Sequence, residues 1–163
     1  LVWLTDSRQI TQPEQAVFWA IAGIRHDGHD YVAALYERGV RRFVVEQPAL
    51  TPERSAEFAT LPDAQFRVVE NALREMQREA ARQRSEFSGP VVGITGSNGK
   101  TIVKEWLATL LAPDVNVVRS PKSYNSQLGV ALSVHQLRSD ADLALIEAGI
   151  SQPGEMQALA EMI

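Results

Sequence analysis

With 163 residues and 45% hydrophobic content, the chain can build one substantial core or two small ones and reads as globular rather than disordered. A net charge of -4 gives no electrostatic reason to expect nucleic acid or an anionic membrane surface as a partner, and the absence of cysteine excludes disulfides, thiolate metal sites and thiol nucleophiles. The longest apolar run, Ala16 to Ile24, is too short to cross a bilayer and no secretory leader is visible, so the cytoplasm is the default location.

Two units follow in chain order. The first, residues 1–85, starts with the loop Asp6-Ser7-Arg8 and an apolar stretch from Ala16 to Ile21. The pattern then predicts a helix from about His29 to Arg38 with Tyr31, Ala34 and Leu35 inward, and a strand over Arg42-Phe43-Val44-Val45-Glu46. Thr51-Pro52-Glu53 opens a second helix, because threonine caps and proline suits the first turn. Phe66-Arg67-Val68-Val69 reads as another strand. From Asn71 to Glu86 the charges alternate in sign around Leu73, Met76 and Ala80, which makes an amphipathic connecting helix with a solvated face rather than a basic patch. His26, Asp27, His29 and Asp30 read as a turn and helix start capped by Asp27 in preference to a metal cluster.

The second unit, residues 86–163, begins at Ser88-Gly89-Pro90 and alternates strand and helix three times. Its first turn holds the most informative segment of the chain. Val91-Val92-Gly93-Ile94 reads as a buried strand, Lys104 to Leu111 as a helix with Trp106, Leu107, Leu110 and Leu111 at helical spacing, and Thr95-Gly96-Ser97-Asn98-Gly99-Lys100-Thr101 lies between them. Glycines free the backbone amides to turn toward one point, and a helix N-terminus adds partial positive charge, so a polyphosphate can be held there. Gly96, Ser97, Asn98, Gly99, Lys100 and Thr101 are therefore the nucleotide-binding candidates, with Lys100 along the β- and γ-phosphates and the Thr101 hydroxyl as a magnesium ligand. The usual pattern wants a glycine where Ile94 stands; here the upstream glycine is Gly96, which leaves open a plain glycine turn with an incidental lysine.

Leu143-Ala144-Leu145-Ile146 suits a buried parallel strand, and it ends in Glu147. An acid at that end of an open α/β sheet reaches the ligand crevice, so Glu147 is a candidate metal ligand and catalytic residue beside Lys100; alone it would equally be an exposed carboxylate in a turn. Asn125 is a candidate for contacting substrate or phosphate, with a turn-forming role beside it, and His135 reads as structural. Ser7 and Arg8 offer a hydroxyl and a planar charged fork, although the residues by themselves describe an ordinary loop.

Taken together, Thr95 to Thr101, the Asp6-Ser7-Arg8 and Asp27-Gly28-His29-Asp30-Tyr31 segments, Tyr124-Asn125-Ser126-Gln127-Leu128-Gly129-Val130, and Glu147-Ala148-Gly149 with Pro153-Gly154-Glu155 resemble the Mur ligases of peptidoglycan synthesis. Within that family the asparagine-bearing segment is similar to the branch that adds D-alanyl-D-alanine. The resemblance implies an α/β fold: a small N-terminal α/β domain that binds UDP-MurNAc-tripeptide, followed by the first part of a P-loop parallel-sheet ATPase domain. It implies ATP and Mg2+ as cofactors, UDP-MurNAc-tripeptide and D-alanyl-D-alanine as partners, and Ser7, Arg8, His29 and Asn125 as substrate contacts. It implies an amide ligase that works through an acyl phosphate and needs no protein nucleophile, acting as a monomer at full length. Another ligase of the family, such as the type that adds the third amino acid, and a non-catalytic P-loop module are the rival readings. The chain opens without methionine at Leu1 and stops at Ile163 inside an expected helix starting near Pro153, so it reads as a fragment of a longer protein and is expected to be inactive by itself.

Overall fold

The computed structural model describes residues 1–23 and 26–163; the end of the first apolar run, Ile24, lies outside the described residues. Internal packing separates Leu1–Glu75 from Met76–Ile163.

The first unit is built on a four-stranded parallel sheet with strands in chain order: β1 (Val2–Leu4), β2 (Ala16–Trp19), β3 (Arg42–Glu46) and β4 (Gln65–Val69). Between β2 and β3 a 3-10 turn at Gly28–Tyr31, capped by the Asp27 side chain, runs into α1 (Val32–Glu37). The inward face of α1 consists of Val32 and Leu35, whereas Tyr31 is exposed and Ala34 faces solvent. Of the three residues expected inward only Leu35 is buried, because the 3-10 turn rotates the side chains of its first turn relative to a continuous α-helix. α2 (Pro52–Ala59) begins where proline predicts, with the Thr51 hydroxyl accepting from the Arg54 amide. The core gathers Leu4, Phe18, Val32, Leu35, Phe43, Val45 and Phe58. Its aromatic centre is a stack in which Phe66 lies 5.3 Å from Phe43 and 4.9 Å from Phe58. α3 (Ala72–Glu86) follows, and Ala72, Met76 and Ala80, four residues apart, are its fully buried positions.

The second unit holds a three-stranded parallel sheet in the order β5 (Val91–Ile94), β7 (Leu143–Glu147), β6 (Val117–Arg119). α4 (Lys100–Leu111), α5 (Gln127–Val134) and α6 (Glu155–Ala160) connect or follow the strands. β7 is the central strand and is buried over Ala144–Glu147, as a continuous apolar run should be. β5 is an edge strand of this sheet and leaves Val92 exposed, so the expectation of a buried strand there holds only for Ile94, which packs with Ala108 and Leu145. α4 differs too. It begins four residues earlier than the pattern suggested, and its fully buried positions are Lys104 and Ala108, while Ile102, Trp106 and Leu110 are more than half exposed. Apolar residues occur on nearly every face of this helix, and the small Ala108 lets it approach the sheet closely.

Candidate functional site

All strands of the second sheet are parallel, so the segments after β5, β6 and β7 emerge along one edge. After β5 the chain turns through Gly96 at φ +136 and Gly99 at φ +80, values that residues with a Cβ rarely adopt. The displaced glycine is thereby explained: Ile94 fills the core as the last residue of β5, and the left-handed positions come two and five residues later. Gly99 is the N-cap of α4 and no side chain caps the helix, so the first-turn amides have no side-chain partner. Residues 95–99 are exposed, and Lys100 folds back to donate its ammonium to the Gly96 carbonyl at 2.8 Å.

Glu147, at the end of β7, is 1% exposed. Its carboxylate accepts from the Thr101 hydroxyl at 3.0 and 2.9 Å, from the Asn125 amide at 2.9 Å and from the Lys104 ammonium at 3.4 Å. Its backbone amide donates to the buried Ser120 hydroxyl at 3.0 Å, and the next amide, Ala148, donates to the Ile94 carbonyl, which locks the end of β7 to the start of the loop. Asn125 is held at both ends, because its carbonyl also accepts from the Gly149 amide at 2.7 Å. A Cβ at Gly149 would sit 3.1 Å from Asn125 Cγ, so a side chain there would push the amide off the carboxylate. Lys100 and Thr101, Asn125 and Glu147, chosen from three separate segments of the sequence, are brought to one edge. Lys104 and Ser120 were not anticipated; a lysine facing inward from a helix that also carries many apolar residues gives no periodic signal.

The donor set suits a hard divalent cation. Magnesium takes oxygen ligands at about 2.1 Å in octahedral geometry, which puts neighbouring ligand oxygens about 3 Å apart, and the Thr101 hydroxyl and Glu147 carboxylate are already 2.9–3.0 Å apart. Beyond them, Glu155 closes the turn before α6: its carboxylate accepts from the amides of Ser151 at 2.6 Å and Gln152 at 2.9 Å and from Gln127 at 3.2 Å. Those backbone bonds hold its carboxyl at about 2, below the ordinary 4.5. The bonds are therefore complete above pH 4.5 and are lost as pH falls toward 2. The Ser151 and Gln152 amide resonances should stay fixed from pH 7 to 4.5 and move only below that; a midpoint near 4.5 would mean that these bonds do not form.

In the first unit, Ser7 and Arg8 follow β1. Arg8 lays its guanidinium fork on Asp6 at 2.9 and 2.8 Å, which holds the Asp6 carboxyl at about 2, and the Ser7 carbonyl accepts from Arg38 at 2.6 Å. Arg8 remains exposed. His29 is buried, and both ring nitrogens are engaged inside the protein: Nε2 accepts from the Glu46 amide at 2.8 Å, which leaves the proton on Nδ1 to donate to Asp27. Burial raises the Asp27 carboxyl, but the bonds from His29 and the nearby Arg54 charge outweigh it and leave it below the usual range. His29 thus fixes the 27–30 turn from within.

Residues 94–163 match the model of the Mur ligase middle domain, and residues 4–87 match that of the Mur ligase family, catalytic domain. The chain belongs to the Mur ligase family. Among curated Mur ligases it is 32% identical to the UDP-N-acetylmuramoyl-tripeptide--D-alanyl-D-alanine ligase of Synechocystis, over 97% of this chain and 33% of that protein. The enzyme of the same name from Bacillus subtilis is 28% identical, over 97% of this chain and 32% of its own length. Among solved structures, MurF from Acinetobacter baumannii superposes with a TM-score of 0.83 at 27% identity, covering 98% of this chain and 33% of that one. MurF from Thermotoga maritima in complex with ADP gives 0.77 at 28% identity, covering 99% and 35%. The chain spans about a third of the length of the curated relatives it matches.

Proposed function

We propose that the protein carrying this sequence is the ATP-dependent ligase that joins D-alanyl-D-alanine to UDP-MurNAc-tripeptide in the cytoplasm, as a monomer. The observation that carries this reading is the convergence of Thr101 and Asn125 on the Glu147 carboxylate beside the Gly96–Lys100 loop. The names of the relatives supply the substrates. A domain of residues 1–85, whose compact part is the unit Leu1–Glu75, offers Ser7 and Arg8 to the uridine diphosphate end, with His29 holding the adjoining turn.

In this reading the loop amides and the α4 N-terminus bind the ATP phosphates. Lys100, a point charge on a flexible stem, exchanges the Gly96 carbonyl for the transferring phosphoryl group and neutralises charge as it spreads over the oxygens. Thr101 and Glu147 hold Mg2+, which supplies further neutralisation of the phosphate charge. Asn125 keeps the Glu147 carboxylate oriented. The tripeptide carboxylate attacks the γ-phosphorus and releases ADP, giving an acyl phosphate; the dipeptide amine then attacks its carbonyl carbon, releasing phosphate and a proton.

The test is a phosphate-release assay of the full-length protein with ATP and Mg2+, supplied either with UDP-MurNAc-tripeptide and D-alanyl-D-alanine or with UDP-MurNAc-dipeptide and meso-diaminopimelate. Release should depend on the dipeptide and yield a product of the mass of UDP-MurNAc-pentapeptide. Turnover with the single amino acid onto a dipeptide precursor, in place of the dipeptide, would assign another ligase of the family. ATP binding with no turnover for either amine would assign a non-catalytic module.

A further inference from the structure

We propose that Lys104 is a positioning residue of the phosphate site: its buried ammonium ties the residue 121–125 turn, and with it Asn125, to the Glu147 carboxylate. The inference rests on the ligase reading of that site and adds to it a residue that no comparison assigns.

Lysine is almost never fully buried unless its charge is partnered. Lys104 is 0% exposed, and its ammonium has three partners: the Lys122 carbonyl, Glu147 Oε2 at 3.4 Å and Glu105 Oε1 at 3.4 Å. Glu105 is 41% exposed, so water weakens that third contact, and the partners that count are the carbonyl of the turn and the carboxylate of the site. A buried ion pair is poor evidence of a stabilising device, since apolar side chains of similar volume usually serve a fold as well or better. Its position is informative instead. Lys104 follows Thr101 by three residues and Lys100 by four, which places it on the same side of α4 one turn further along. From there it reaches the opposite end of the turn from Asn125.

That turn is held at two points. At one end Lys122 adopts a left-handed φ of +49, unusual for a residue with a side chain, and its carbonyl accepts from Lys104. At the other end Asn125 donates to Glu147 Oε1 while Lys104 lies against Oε2 of the same carboxylate. The carboxylate is thus clamped between an amide and an ammonium that hold the same five-residue turn. Removing Lys104 frees one end of the turn and one oxygen of Glu147 together, and leaves Asn125 attached to a segment with no anchor at Lys122.

The test compares the full-length protein with its Lys104→Met, Asn125→Ala and double variants, because methionine matches the length of lysine without the charge. Binding of Mn2+ with a non-hydrolysable ATP analogue is read by electron paramagnetic resonance, well below the melting temperature. Lys104→Met should weaken binding tenfold or more, and adding Asn125→Ala in that background should change little, since the two residues act through one turn. Affinity within twofold of wild type, or fully additive losses, would overturn the tether. Loss of stability with unaltered affinity would do so as well, since it is the signature of a purely structural lysine. Should Lys104→Met fail to fold, the ammonium resonance of Lys104 in the wild-type protein provides the answer: it should shift on addition of Mg2+ and the analogue, and an unmoved signal would count against the proposal. A wild-type protein that binds no Mn2+–nucleotide at all would sink the ligase reading and the tether together; binding that Lys104→Met leaves untouched would sink the tether alone.

Discussion

Lys100→Ala in the full-length protein should abolish most ligation while leaving the fold intact. Lys100 is partly exposed, and its hydrogen bond is a single donation to the Gly96 carbonyl, which water can replace. Its removal therefore costs the native state little. In the proposed reaction the same ammonium would face charge developing on the transferring phosphoryl oxygens, and loss of one such preorganised donor is expected to lower the rate by roughly a hundredfold or more, about 2.7 kcal/mol. Thermal unfolding and the phosphate-release rate at saturating substrates separate the two effects. A rate within a few-fold of wild type would remove Lys100 from the role assigned to it.

Glu147→Ala should behave in the opposite way, with activity and stability falling together. The carboxylate is 1% exposed and gathers Thr101, Asn125 and Lys104, so its loss strands a buried ammonium as well as two polar side chains. Breaking one side of a buried pair costs about 3–5 kcal/mol, enough to consume much of the stability of a small domain. The paired substitution Glu147→Leu with Lys104→Met removes both charges and should recover much of that stability, but none of the activity. Denaturant unfolding of the single and double variants measures this directly. If Glu147→Ala unfolded at the wild-type denaturant concentration, the buried cluster would not be holding the end of β7.

These expectations also mark where the sequence could be read and where it could not. The glycine turn was legible because its pattern is local: two glycines, a lysine and a threonine within six residues need only a strand before and a helix after. Glu147 was legible as the end of a parallel strand, but by itself it was equally an exposed turn carboxylate, and only its burial among Thr101, Asn125 and Lys104 decides against that. Lys104 was not, since its burial depends on Lys122 and Glu147, which are brought to it by two other strands and leave no periodic trace in α4. The same helix misled on Trp106 and Leu110, because a helix with apolar residues on several sides does not say which side meets the sheet. His29 was read from the segment around it as a ligand contact; its ring is used up inside the unit by Asp27 and the Glu46 amide, a pairing that joins the 27–30 turn to the end of β3.

The placement of the three tryptophans gives the two units separate optical signatures. Trp19 is 1% exposed and lies with its ring centroid 5.0 Å from that of Trp3, so the first unit emits partly from an indole shut away from water. Trp106 on α4 is 68% exposed and already emits from a wet environment in the folded protein. Unfolding of the first unit therefore shifts the emission to the red, whereas melting of the second changes its intensity with little change of wavelength. Trp106 lies on the helix that starts at the Gly96–Gly99 turn, so if nucleotide binds there as proposed, a change in its red emission is the expected label-free readout.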